Sequence, residues 1–407
     1  MGFIAIRGGK KIECLNYFKA HLASLLKLEN VGLLLGSGAS VPAGGLTLAG
    51  LWEDFINRYS EYAKWLKNEG FIGSCYLCKE TPPNIDELIN SLEIAHAEWT
   101  RHQNQRLPEL HHARINLYKS ILRAAVFDES MREGKWDKGS ADALGFNENK
   151  LAHHKLVLQK LLSTRQPGQS APWVFTTNYD LAIEWAADSI GLHVLNGFIG
   201  LHRRVFSPQS FDLGFRNTQA RGEARFGSYN IYLAKLHGSL TWSESDDEIL
   251  EMQDLLAWEK ITGFLKDEHA NEDFGFLVMP RAAKYMETIG FVLGELFRRF
   301  SEFISKPQTV LIVNGYGFGD RHINRLLLSG TLNPTLQLVI YYPEFSGEDS
   351  KEKLPRTLNK LVESENPRVT VIGGGNEAYI DSLAEHLPDP LLYDENTQKY
   401  RELLKDE

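Results

Sequence analysis

The stretch from Val31 to Ser40, VGLLLGSGAS, limits what this chain can fold into more than any other. An apolar run that stops in Gly36-Ser37-Gly38, followed by Ala39 and Ser40, reads as a strand turning sharply into a helix. In such a turn the backbone N–H groups point at one spot, and glycine lets a phosphate approach them closely. It is not the full G-x-G-x-x-G dinucleotide fingerprint, because position 41 is Val41, and a Gly-Ser-Gly turn also occurs as a plain connection. On this stretch alone both readings stand.

Further runs of the same kind follow in the second half of the chain: WVFTTNY (173–179), LHVLNG (192–197), IYLAKLHG (231–238), FGFLVMP (274–280), TVLIVNGYGF (309–318), LQLVIYYP (336–343) and RVTVIGG (368–374). Near-continuous Val/Ile/Leu runs mark strands buried on both faces, as in a parallel sheet between helices. The expected fold is α/β, a Rossmann-like doubly wound and mostly parallel sheet. Between its first strand and the rest the period changes. Leu48, Leu51, Trp52, Phe55, Ile56, Tyr59, Tyr62 and Leu66 recur every three or four residues, as on an amphipathic helix. Asn84 is placed to cap a second helix carrying Ile85, Leu88, Ile89 and Leu92, and a third runs through Leu110, Ile115, Tyr118, Ile121 and Leu122. The chain therefore divides into a first part of the sheet domain (1–51), a helical insertion (52–164), the remainder of the sheet domain (165–385) and a C-terminal helical tail (386–407).

Composition removes several function classes. With 53 acidic and 44 basic residues the formal charge is −9, which argues against nonspecific nucleic-acid binding by the surface as a whole. The arginines and phenylalanines of residues 200–230 leave a local contact open, although a loop over the site or toward a neighbouring subunit fits their position better. Only Cys14, Cys75 and Cys78 occur, too few for a disulfide framework, so a reducing, cytoplasmic setting is expected. Cys75 and Cys78 lack the second pair that a tetrahedral zinc site needs, and the paired histidines 111–112 and 153–154 lie on expected helices, where neighbours diverge. No metal is expected. The N-terminal MGFIAIRGGKK holds no run long enough for a secretory signal, Ile6 stands where myristoylation wants Ser or Thr, and no stretch is apolar enough for a membrane helix.

In a doubly wound sheet the ligand lies beyond the carboxyl ends of the strands. Three strands end there in polar sequences: Thr176-Thr177-Asn178-Tyr179-Asp180, then His237-Gly238-Ser239, then Gly315-Tyr316-Gly317-Phe318-Gly319-Asp320 with His322 and Asn324. Each has a plain explanation, as helix caps for Asn178, Asp180 and Asp320 and as a core histidine for His237. All fall on the same expected edge of one sheet as the Gly36–Ser40 turn.

Taken in order, GSGAS, TTNYD, KLHGS and GYGFGDRHIN resemble the motifs of sirtuin-like domains, specifically the bacterial branch that hydrolyses NAD. The resemblance covers residues 31–51 and about 170–375, and it implies NAD as substrate. It implies that Gly36, Ser37, Gly38, Ala39 and Ser40 hold the pyrophosphate and adjoining ribose, that Asn178 sits by the nicotinamide ribose, that Asp180 steadies the same pocket, and that Thr177 belongs to the cofactor-binding residues. It further implies that Asn178 orients the attacking oxygen, that His237 is the general base, and that Gly315, Tyr316 and Gly317 pass beneath the adenosine half. Departures turn the expectation away from a deacylase. Deacylating sirtuins carry a four-cysteine zinc module after the catalytic histidine, and here no cysteine follows Cys78; Val41–Thr47 differs from their peptide-binding segment, and Thr177 replaces their usual Gln. The expected activity is cleavage of NAD to nicotinamide and ADP-ribose. The resemblance also implies a toxic effector of antiphage defence, a homo-oligomer or a subunit controlled by a HerA-like ATPase or an Argonaute-type protein. A protein deacylase and a non-catalytic sensor of NAD or ADP-ribose are the alternatives.

Overall fold

The computed structural model describes residues 2–77, 82–133, 135, 149–166, 168–215, 230–245, 248–266, 286–347 and 354–389. The chain opens with β1 (Ile4–Arg7), β2 (Lys10–Ile12), α1 (Leu15–Leu25) and β3 (Asn30–Leu35). A helical stretch follows, with α2 (Leu48–Arg58), α3 (Ser60–Asn68), α4 (Ile85–Arg101), α5 (Leu107–Ala125), α6 (Glu129–Arg132) and α7 (Ala152–Ser163). The chain then alternates through β4 (Trp173–Thr176), α8 (Ala182–Ser189), β5 (His193–Leu195), β6 (Phe198–Ile199), β7 (Arg204–Phe206), β8 (Asn230–Lys235), β9 (Trp242–Ser245) and β10 (Glu248–Glu251). It ends with α9 (Asp254–Lys266), α10 (Met286–Ser305), β11 (Thr309–Asn314), α11 (Arg321–Gly330), β12 (Leu336–Tyr341), α12 (Arg356–Glu363), β13 (Val369–Gly373) and α13 (Ile380–His386).

The strands form a 9-stranded sheet in the order β2-β1-β13-β12-β11-β3-β4-β8-β5, in which only β1 runs against the others, pairing antiparallel with β2 and β13. Every residue of β3 and β11 is buried, which is why these strands read as unbroken apolar runs and not as alternating ones. From β3 the chain moves one way to β4 and β8, and later returns on the other side as β11. The switch point of this α/β sheet is thus the crevice between β3 and β11, and both strands end there in glycine turns. The doubly wound, mostly parallel α/β fold expected from the sequence is present.

Several elements differ from the sequence reading. The helix expected from Thr47 onward is two, broken at Tyr59 (φ −129°, ψ 44°), and the break lets both α2 and α3 pack on α5. The β1–β2 hairpin was not expected from so short a pattern; its loop is Gly8-Gly9, both with positive φ, the two-residue turn that matches strand twist. A 4-stranded antiparallel sheet, β6-β7-β10-β9, was also not expected, because its strands are too short to show a period. It takes two arginines of the 200–230 stretch into ion pairs, Arg203 with Glu248 at 2.6 Å and Arg204 with Glu251 at 2.8 Å. Arg216, Arg221 and Arg225, the run FGFLVMP, Cys78 and the tail beyond Asp389 lie outside the described residues.

Asn84 caps α4 as expected, its side chain accepting from the Glu87 amide at 3.2 Å. The helices α2, α4 and α5 share one apolar cluster built on Trp52, Phe55, Leu92, Leu110 and Leu117. The α7 helix packs instead with α8 and α13, on one face of the large sheet. Among the described residues no helix is long and apolar enough to cross a membrane.

Candidate functional site

A cavity of about 410 Å³ opens beyond the carboxyl ends of β3, β4, β8 and β11. One side is formed by strand-end residues: Gly36, Ser37, Ser40, Thr177, Asn178, Asp180, His237, Tyr316, Gly317 and Asp320. The other is apolar and comes from the helices, with Leu48 and Leu51 of α2, Ile85 and Ile89 of α4, and Ile121 and Ala124 of α5. No lysine or arginine is among the described lining residues. An anion held here is therefore met by backbone amides and helix ends. A larger cavity, about 630 Å³, lies at the opposite end of the sheet beside Ser170, Trp173 and Asn230, and none of the strand-end groups reaches it.

The two glycine turns support one another. The Gly36 amide donates to the Asn314 carbonyl and the Gly38 amide to the Gly315 carbonyl, each at 3.0 Å. Gly315 has φ +67°, and a Cβ there would run into the backbone of Gly38 and Ala39. A side chain is thus excluded both by conformation and by space. Residues 37–43 then form a single 3-10 segment that buries Ala39 and Ser40.

Asn178 leaves β4 directly opposite this turn. The Thr176 hydroxyl accepts from its backbone amide at 3.0 Å, and the Thr177 amide donates to the Leu35 carbonyl at 3.1 Å. The Asn178 side-chain Nδ2 donates to the Gly36 carbonyl at 3.0 Å and to Ser40 Oγ at 2.8 Å. With both donors engaged, the remaining polar atom of the amide is Oδ1, an acceptor. Asp180 sits behind Ser40. Burial pushes its carboxyl up, against the Lys235 charge, the Ser40 hydroxyl and the Ala182 amide that favour the ionised form. Lys235, on β8, donates to the Asp180 carbonyl and, at 2.9 Å, to Glu184. Burial raises Glu184 to about 7 in spite of that lysine.

His237 follows β8 and meets the loop after β11. Its Nε2 lies 2.7 Å from Asp320 Oδ2, across 83 residues of sequence. Burial works against the Asp320 charge, but the His237 hydrogen bond and charge, with the amides of Ile323 and His322, hold the carboxyl below its ordinary value. Sequence reasoning gave Asp320 only the role of a helix cap. The cap exists, since Asp320 accepts from the His322 and Ile323 amides at 2.6 and 3.1 Å. Its second role shows only when α11 and β8 are brought together. Tyr316 is buried, with its ring 4.9 Å from that of Phe318 and its hydroxyl 3.1 Å from both the Asp320 carbonyl and Asn324 Oδ1. Gly317 has nothing within 4 Å of where a Cβ would stand, so its side of the loop is open.

The fold thus brings Asn178, Asp180, His237, Thr177, Tyr316 and the glycine turns to one cavity. Sequence reading missed the apolar wall from α2, α4 and α5. Its periodicity marked those residues as buried but not what they face. Among the described residues, no group of three or more His, Cys, Asp or Glu side chains has the spacing to hold a metal ion. His154, from the second histidine pair, is buried on α7, and burial lowers its pKa to about 4.

No curated protein matches the chain. Residues 172–361 match the family described as the SIR2-like domain, a span that begins at β4 and ends within α12. The Gly36–Ser40 turn is outside that span, and β3 delivers it to the same cavity. Over residues 172–361 the chain is therefore similar to the SIR2-like domain, a likeness that points to an NAD-related activity.

Proposed function

We propose that the protein is an NAD glycohydrolase that cleaves NAD with water to nicotinamide, ADP-ribose and a proton. The observation that carries this reading is the pairing of a fixed Asn178 amide with the His237–Asp320 pair in one cavity. In this reaction the bond between ribose and the pyridinium breaks, nicotinamide leaves as a neutral ring, and positive charge builds on the ribose carbon. The site must position the attacking oxygen, shield the cation and accept one proton. Asn178 Oδ1 is oriented to position an attacking water on that carbon. Imidazole titrates near neutrality, so His237 is suited to take the proton. The cavity-lining Ser37 and Ser40 of the glycine turn and the open side of Gly317 suit the diphosphate and adenosine half. The apolar helical wall suits a departing neutral ring. This chemistry needs no metal.

We propose, further, that the activity serves bacterial antiphage defence. Unrestrained NAD hydrolysis would kill the host, so control by self-assembly or by a partner, a HerA-like ATPase or an Argonaute-type protein, belongs to the same reading. Residues 52–164 and the C-terminal tail are the candidate contacts.

The test incubates the purified full chain with NAD, with and without an acetyl-lysine peptide, and follows free nicotinamide. Release without peptide that falls at least about 100-fold in His237→Ala and Asn178→Ala is expected. Release only with peptide would establish the deacylase. NAD binding with equal, slow release in wild type and both variants would make the protein a sensor.

A further inference from the structure

We infer that Asp320 is a positioning residue for His237: its carboxylate fixes the proton on Nε2 and leaves the lone pair on Nδ1 as the base. The inference rests on the hydrolytic reading above for its catalytic meaning, but its structural content stands separately.

The two oxygens of Asp320 do different things. Oδ1 accepts from the amides of His322 and Ile323 in the first turn of α11, a capping role that Asn or Ser would fill equally well. Oδ2 lies 2.7 Å from His237 Nε2, a charge-assisted distance, and His237 is the one imidazole among the described residues lining the cavity. An ionised carboxylate can only accept, so the shared hydrogen belongs to the ring, and a neutral ring then has its lone pair on Nδ1. When Nδ1 takes the proton of the attacking oxygen, the ring becomes an imidazolium that keeps its Nε2–H on Asp320. The proton is passed to solvent after nicotinamide has left.

The carboxylate is also immobile. The Asp320 carbonyl accepts from the Asn324 amide at 3.0 Å and lies 3.1 Å from the Tyr316 hydroxyl, while Asn324 Nδ2 donates to the Phe318 carbonyl at 2.8 Å. On the other side, Asn84 Nδ2 of the α4 cap donates to the Gly319 carbonyl at 3.2 Å. Asp320 cannot turn from His237 without unwinding the start of α11. Among the described residues, the other ionisable side chains lining the cavity are Asp180 and Tyr179 from the end of β4, and Tyr316 from the loop after β11.

The experiment uses the full chain labelled with ¹⁵N-histidine, with the His237 signals identified by their loss in His237→Gln. In wild type without NAD, the ring shifts are expected to report the Nε2–H tautomer. Asp320→Asn keeps the cap, but its amide donates to Nε2 and drives the proton to Nδ1; the His237 pKa should fall by about one unit or more once the carboxylate charge is gone. In nicotinamide release, kcat should fall roughly 10- to 100-fold with KM changed less than about threefold, and the rising acid limb should move to lower pH. An Nδ1–H tautomer in wild type, or a His237 titration unmoved in Asp320→Asn, overturns the inference. If the tautomer and titration behave as expected but neither protein releases nicotinamide, the hydrolytic reading falls while the positioning of His237 stands.

Discussion

Asn178 and His237 are each held by a group distant in sequence, Asn178 by Gly36 and Ser40 and His237 by the Asp320 carboxylate. Ser40 bonds the buried Asp180 carboxylate and accepts from Asn178, so its hydroxyl links the acid to the amide. Asp320 reaches His237 directly. The cost of this arrangement is a set of buried charges behind the cavity, and Glu184 shows its sign. Its carboxyl titrates at about 7 in place of the ordinary 4.5, because burial disfavours its charge more than Lys235 restores it. The folded state therefore keeps a proton that the unfolded chain releases. The contribution of this group to stability is whole below about pH 4.5 and is lost as the pH rises through about 7. The urea midpoint of Glu184→Gln should consequently fall less than that of wild type between about pH 5 and pH 7. Parallel curves for the two proteins would remove Glu184 from the account.

At the scale of elements, α4 carries the clearest consequence. Its cap, Asn84, uses both ends of one amide. Oδ1 receives the Glu87 amide at 3.2 Å, and Nδ2 reaches the Gly319 carbonyl, next to Asp320, also at 3.2 Å. One side chain thus starts a helix of the cavity wall and ties it to the loop that holds His237. Arg321 and Glu87 add an exposed ion pair at 2.9 Å across the same junction, which contributes little on its own. Two substitutions separate the functions. Asn84→Asp keeps the cap and should leave thermal stability nearly unchanged, whereas Asn84→Ala should cost about 1 kcal/mol. Both lose the donor to Gly319, so both should raise the KM for NAD by a similar factor. A KM that rises only in Asn84→Ala would mean that the cap alone matters.

For the whole molecule, the order of strands matters more than any single contact. The span that matches the SIR2-like domain contains β4 and β11, but β3, which lies between them and pairs with both, is outside it. A fragment of residues 172–361 would have a gap at the centre of the sheet, with β4 and β11 unpaired across it, and would leave β12 without β13. It should fail to fold alone, with the circular dichroism of an unfolded or aggregated chain, whereas the full chain shows a cooperative transition. A soluble, cooperatively unfolding fragment would show that β3 is dispensable. The helical wall extends the same dependence. Leu48, Ile89 and Ile121 close the cavity from three helices, all from the chain between β3 and β4.

The sequence by itself determined the periods and the punctuation. The continuous burial of β3 and β11, the glycine turns after them and the cap at Asn84 are local, because they depend on neighbouring residues and on backbone freedom. Gly315 was legible as a special position for the same reason, since its positive φ is a property of the turn itself. Only the tertiary structure decided which neighbours meet. His237 and Asp320 are 83 residues apart, and each carried a sufficient local explanation, one as core and one as cap. Asn178 and Ser40 are joined across 138 residues, through a pairing of β3 with β4 that skips the whole helical stretch. Local patterns record which residues must be buried or must turn. A hydrogen bond between distant segments leaves no periodic trace, because it depends on the order in which strands enter the sheet.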